Sequence, residues 1–195
     1  MNQGDLDALQ RAVAEARQRL PDLDVARTLD GLLLAMRGQF REAEPLLQEA
    51  LHKNPGQPQV SFGMGLVAAS AGKPLDAEEF FREEIRLFPP ALPARRELVK
   101  ILANQKRYDE QASELAVLVR AQPADPLTRH ALAQALYNLK RYPEADAEVD
   151  ACLQLNPQAP LCLMLKANTL GKLGRKAEAD QVYQEALDVA GQDQP

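Results

Sequence analysis

His52, His130, Cys152 and Cys162 are the side chains of this 195-residue chain best suited to metal ligation or nucleophilic chemistry. A structural zinc site needs four such ligands at close spacing, and a nucleophile needs a base beside it. The histidines stand in different parts of the chain, and no cysteine or carboxylate constellation matches either. Two cysteines are too few for a disulfide framework, so both are expected to be small buried thiols; a disulfide would require an oxidising compartment that nothing else in the sequence indicates. The stretch GMGLVA at 63–68 formally satisfies G-x-G-x-x-A. It lies in a helical pattern with no strand before it, so it lacks the context a dinucleotide site requires. No enzyme, cofactor or metal is expected.

The elements that would position any site are helices. Tryptophan is absent, aromatic residues make up 5% of the chain, and Leu and Ala dominate its apolar content. Many small aliphatic contacts suit helix packing better than a sheet, which favours β-branched and aromatic residues. The net charge of -5 has the wrong sign for holding a phosphate backbone by counterion release, so nucleic acid is not an expected partner. The start, MNQGDLDALQ, lacks the basic and apolar regions of a signal peptide, and no apolar run reaches the length of a membrane span. Membrane insertion is not expected. The expected location is the cytoplasm, with the periplasm as the alternative if a signal has been removed.

Proline carries the organisation. NPGQP at 54–58 and NPQAP at 156–160 share a spacing, and prolines stand at 55, 89, 123 and 157, each 34 residues after the last. Windows beginning at 24, 58, 92, 126 and 160 bring other columns into agreement. The eighth position is small in four of five units (Gly31, Gly65, Ala133, Ala167; Val99 departs). The twentieth is Ala43, Ala77, Ala145 and Ala179, with Gln111 departing, and the twenty-seventh is Ala50, Cys152 and Ala186, with Glu84 and Leu118 departing. Phe40, Tyr108 and Tyr142 recur at the seventeenth. Small residues let helix axes approach where larger ones would overpack.

These columns, clearest in RGQFREAEPLLQEALHKNP (37–55) and KRYPEADAEVDACLQLNP (140–157), resemble the tetratricopeptide repeat, a helix-turn-helix unit of the same length. The family's tryptophan is missing, with Arg27, Ser61, Arg95, Arg129 and Leu163 in its place. The resemblance implies an all-α fold, a right-handed superhelical solenoid of five units at 24–57, 58–91, 92–125, 126–159 and 160–193. Residues 1–23, with Leu6, Leu9, Val13 and Leu20 on one stripe, are expected to form a capping helix or half repeat, and 191–195 a frayed tail. A segment of a longer array is the alternative.

In such solenoids the first helix of each unit lines a concave groove, which the resemblance places here at Val25, Thr28, Leu32, Met36, Phe62 and Leu66 in the first two units. Arg96, Lys100, Asn104, His130, Gln134, Tyr137, Asn138, Asn168 and Lys172 follow in the last three. The first half reads as an apolar shelf and the second as a row of amides and cations able to donate to a peptide backbone or carboxylate. The expected function is therefore a non-catalytic scaffold binding a peptide or helical segment of a protein partner. An assembly or secretion chaperone holding an apolar segment against Phe62 and Leu66, or a docking arm of a larger protein, are the alternatives. The family's carboxylate clamp is incomplete: Arg96 and Lys100 begin it, but Ala131, Leu161 and Leu165 replace its remaining polar residues. Gly63 fits no column and reads as tolerated variation or as room for a ligand. A monomer is expected, with an end-to-end dimer through Leu187 and Val189 as the alternative.

Overall fold

The structure is a computed structural model that describes residues 11, 14–15 and 24–192. The expected capping helix at 1–23 thus falls almost wholly outside the described residues, as do 193–195 of the tail. Among the described residues there are ten helices and no strand. They are α1 (Asp24–Met36), α2 (Phe40–Lys53), α3 (Val60–Ser70), α4 (Pro74–Leu87), α5 (Leu92–Asn104), α6 (Tyr108–Ala121), α7 (Pro126–Asn138), α8 (Tyr142–Leu155), α9 (Pro160–Lys172) and α10 (Lys176–Gln192). The chain divides into two compact units, one up to Leu98 and the other from Val99.

The helices begin and end where the sequence places its punctuation. Pro74, Pro126 and Pro160 occupy first helical positions, where a missing N–H costs little and the fixed φ helps. Asp125 caps α7 by accepting from the Leu127 N–H at 3.1 Å. Between the two helices of each hairpin the backbone turns through one left-handed residue: Gly38, Gly72, Lys106, Lys140 and Gly174, with φ of 79°, 71°, 58°, 62° and 79°. The next residue's N–H reaches back to the carbonyl five positions earlier, as in Gln39 to Leu34 at 2.9 Å and Arg141 to Leu136 at 2.9 Å. This is the Schellman closure, which favours glycine at its left-handed position. Lys106 and Lys140 adopt the same conformation without that freedom. The residue after the turn then ties down the second helix. Arg107, Arg141 and Arg175 each form a two-pronged pair with the glutamate three residues on, Glu110, Glu144 and Glu178.

In the first unit α1 packs on α2 and α3 on α4, around a core of Ala35, Ala43, Leu47, Met64 and Val67. Leu47, fully buried, is held by two glycines. A Cβ at Gly31 would lie 2.9 Å from its Cγ, and one at Gly63 would lie 2.9 Å from both of its methyl carbons. Gly63 thus has a packing reason that its position in the repeat does not reveal, in place of tolerated variation or space kept for a ligand. Gly65 lies closer still to Phe81, whose Cε1 would be 2.4 Å from an added Cβ. Glu84 is 3% exposed and fills the column that holds alanine in other windows. Its carboxylate accepts from the N–H groups of Gln59 at 3.0 Å and Phe62 at 3.3 Å, satisfying the start of α3, which has no side-chain cap of its own. Desolvation raises its pKa above the ordinary carboxylate value, against the opposing effect of those two hydrogen bonds.

In the second unit α7 packs on α8 and α9 on α10, around Ala133, Val149, Cys152, Cys162 and Leu165. Cys152 and Cys162 are bonded, with an S–S distance of 2.04 Å. This corrects the expectation of two free thiols. The helix turn at Asn156–Ala159 folds residues ten apart onto each other, joining α8 to α9. A charge network reinforces the same junction: Lys166 on α9 meets Asp146 and Asp150 on α8 at 2.7 and 2.6 Å, and Arg175 also reaches Asp146 at 3.3 Å.

Candidate functional site

The arginines that replace the expected tryptophan hold the first helices in place. Arg95 donates to the carbonyl of Pro89 at 3.0 Å and Arg129 to that of Pro123 at 3.0 Å, so each is anchored to the proline that closes the preceding window. Arg129 also reaches Glu148 on α8 at 3.0 Å, and Arg27 reaches Glu49 on α2 at 3.0 Å. These links orient the first helices, and with them the side chains on their exposed faces.

The expected groove residues separate into two groups. In the first unit, Thr28 is 1% exposed and its hydroxyl accepts from the Gln57 amide at 2.8 Å. Leu32 and Phe62 are also buried, Phe62 lying 6.0 Å from Phe81 between ring centroids. Met36, Leu66 and Arg96 are half-buried. Val25 belongs to α1, and its side chain lies outside the described residues. Of the apolar residues read as a shelf, Leu32 and Phe62 are therefore core, while Met36 and Leu66 keep part of their surface exposed. Helical periodicity identifies an apolar face but not whether other elements cover it.

The second unit differs. Lys100, Asn104, Asn138, Asn168 and Lys172 are exposed, while His130, Gln134 and Tyr137 are half-buried. The Gln134 amide donates to the Asn138 side-chain carbonyl at 3.4 Å, and the Tyr137 ring meets Tyr142 edge-on at 5.4 Å. Burial lowers the pKa of His130 below the usual imidazole value, so near pH 7 it offers a neutral donor and acceptor rather than a positive charge. Helices α7 and α9, which carry most of this row, pack against each other.

Three apolar side chains on these helices escaped the sequence reading. Leu127 and Leu161 are 72% and 62% exposed, each following the proline that opens its helix, and Met164 is 37% exposed. The signal was the dipeptide Pro-Leu repeated 34 residues apart, with Leu161 weighed only as a missing polar residue. Neither α7 nor α9 contains an acidic residue, whereas α8 alone carries Glu144, Asp146, Glu148 and Asp150. In this pair of units charge is thus sorted by helix, with apolar, amide and basic groups on α7 and α9 and carboxylates on α8.

Two clefts lie elsewhere. One of about 730 Å³, between α2, α3 and α4, has a floor of Phe40, Met64, Val67 and Phe80 and charged groups such as Arg41 and Asp76 at its rim. One of about 420 Å³ lies between α6, α7 and α8. Neither is lined by a residue of the expected groove. Among the described residues no cluster of three His, Cys, Asp or Glu could hold a metal ion, and no helix is long and apolar enough to cross a membrane.

Family models described as tetratricopeptide repeat match residues 30–91, and 128–158 with 162–193. The chain is a tetratricopeptide-repeat protein. Its fold class is the all-α repeat solenoid. Solved structures of this class are similar over most of its length. YrrB, described as a tetratricopeptide-repeat protein with an unusual peptide-binding site, has a TM-score of 0.81 at 16% identity, over 91% of this chain and 92% of its own. MamA AMB-1 has a TM-score of 0.76 at 22% identity, over 85% and 98%. MamA from Desulfovibrio magneticus RS-1, from residue 41 to its end, has a TM-score of 0.75 at 18% identity, over 89% and 98%. At these identities the likeness is one of fold. A comparison with curated protein sequences finds no significant match.

Proposed function

We propose that this tetratricopeptide-repeat protein is a non-catalytic interaction scaffold that holds an extended or helical segment of a protein partner on the exposed face of α7 and α9. The observation that carries the reading is the exposure of Leu127, Leu161 and Met164 on two adjoining helices that also present Gln134, Asn138, Asn168 and Lys172. Exposed leucines offer anchor sites for apolar side chains, while the amides and the lysine can pair with a peptide backbone or carboxylate. The lack of acidic residues on both helices favours a segment carrying negative charge, and the chain's overall charge of -5 argues against nucleic acid. The peptide-binding site in YrrB's description is consistent with this use of the fold. The chaperone alternative sets its apolar segment against Phe62 and Leu66, of which Phe62 is 9% exposed and Leu66 half-buried.

A photo-crosslinking amino acid at Met164 should capture a defined partner segment, and one at Leu75, which is 71% exposed on α4, should not. The captured segment, synthesised as a peptide, should lose about tenfold or more in affinity for Leu161→Asp, with Leu75→Asp unchanged. Equal affinity for both variants would remove α7 and α9 from the interface.

A further inference from the structure

We infer that the Cys152–Cys162 bond secures the hairpin of α9 and α10 to α8, so that the order of this hairpin depends on the thiol–disulfide state of its surroundings. The cysteines occupy the twenty-seventh column of one window and the third of the next, which meet at a window junction. Earlier pairs in these columns are Ala50 with Val60, Glu84 with Ala94, and Leu118 with Thr128. Only the last junction can therefore be joined covalently in this way. An array of this kind is stabilised by nearest neighbours, so a bond at this junction acts on the hairpin it joins. That hairpin leaves Tyr183 and Leu187 of α10 at 43% and 46% exposure.

The bond removes two protons and two electrons from the pair, and a small or protein disulfide takes up the electrons. One cysteine thiolate attacks the oxidant's disulfide and expels one thiolate. The second cysteine then attacks the mixed disulfide and expels the other, leaving Cys152–Cys162 and two oxidant thiols. In the folded chain Cys152 is 0% and Cys162 2% exposed. Exchange in either direction must therefore pass through a form in which α9 has left α8. Such a bond persists where thiols are not kept reduced, which favours an oxidising compartment over the cytoplasm.

The full chain should be equilibrated in glutathione buffers of graded redox ratio, denatured, and alkylated for intact-mass counting of free thiols. Two states are expected, with zero or two thiols. Hydrogen exchange on each should show protection of α9 and α10 falling about a hundredfold on reduction, as expected for opening a cross-link over so short a loop, while α6 and α7 change little. The double variant Cys152→Ala, Cys162→Ala should match the reduced form. Alanine already stands in these columns at Ala50 and Ala94, so the variant separates loss of the bond from a packing defect. Two alkylatable thiols even in the most oxidising buffer would overturn the cross-link. Equal protection in both forms would overturn its role in ordering the hairpin.

Discussion

Replacing Gly65 by alanine separates the two demands placed on that position. Alanine is the better helix former, by about 1 kcal/mol in an open helix interior. Its methyl group, however, would sit 2.4, 2.6 and 2.9 Å from Cε1, Cδ1 and Cζ of Phe81. Ordinary carbon contacts begin near about 3.5 Å, so the ring must move by roughly 1 Å. Phe81 is 1% exposed and stands beside Phe62, so there is little room for that movement. Overpacking of this kind costs typically about 1–3 kcal/mol, and a close ring contact belongs at the upper end. After subtracting the helix gain, Gly65→Ala should destabilise by about 1–2 kcal/mol. In a Phe81→Leu background the obstruction is gone and the same substitution should become neutral or stabilising by up to about 1 kcal/mol. The coupling is thus expected to be about 2 kcal/mol. Urea unfolding of the four proteins, followed by helical circular dichroism, measures it, provided the unfolding slopes agree. If Gly65→Ala stabilises by the same amount in both backgrounds, this glycine is not a packing residue and the close approach of α3 to Phe81 is wrong.

Two further perturbations test features that the repeat pattern alone does not explain. Lys140→Gly should stabilise by about 0.5–1 kcal/mol, because it relieves a left-handed lysine in a column that elsewhere holds Gly38, Gly72 and Gly174; a loss of thermal stability would contradict the turn geometry. Glu84 has a folded pKa raised chiefly by desolvation, so the folded state retains its proton to higher pH than the unfolded chain does. Its contribution is fully present below the unfolded value of about 4.3 and is lost as pH rises through the folded value. Relative to Glu84→Gln, the wild-type chain should therefore lose stability as pH rises across that window. Parallel pH dependence of the two proteins would remove Glu84 as the titrating group.

The repeat was legible because packing imposes it. Ala43, Ala77 and Ala145, all in the twentieth column, are each 0% exposed, so close packing selects small residues in those three units, and Gln111, 8% exposed, is the column's departure. The left-handed column was only partly legible. Gly38, Gly72 and Gly174 announce it, but lysine at 106 and 140 conceals it, because sequence shows residue type and not φ. The burial of Thr28, Leu32 and Phe62 was not legible for a different reason. Periodicity places these residues on a face of their helices, and whether a face stays open depends on what packs over it. Thr28 in particular is engaged by Gln57, a turn residue outside any helical pattern.

The departures from the repeat carry more information about this chain than its regularities. Alanine in the twenty-seventh column satisfies packing and does nothing more. Glu84 in that column supplies the cap that α3 lacks, and Cys152 supplies a covalent bond between α8 and α9. Each accepts a cost that alanine avoids, desolvation of a carboxylate in one case and dependence on an oxidant in the other. The arginines in the tryptophan column follow the same logic. A bulky ring could fill space there, but Arg95 and Arg129 also donate to the closing carbonyls of the preceding windows, which an indole positioned for packing could do with only one N–H. The backbone of the repeat is thus held by small residues. The connections between successive hairpins are held by polar and covalent links that differ from one junction to the next.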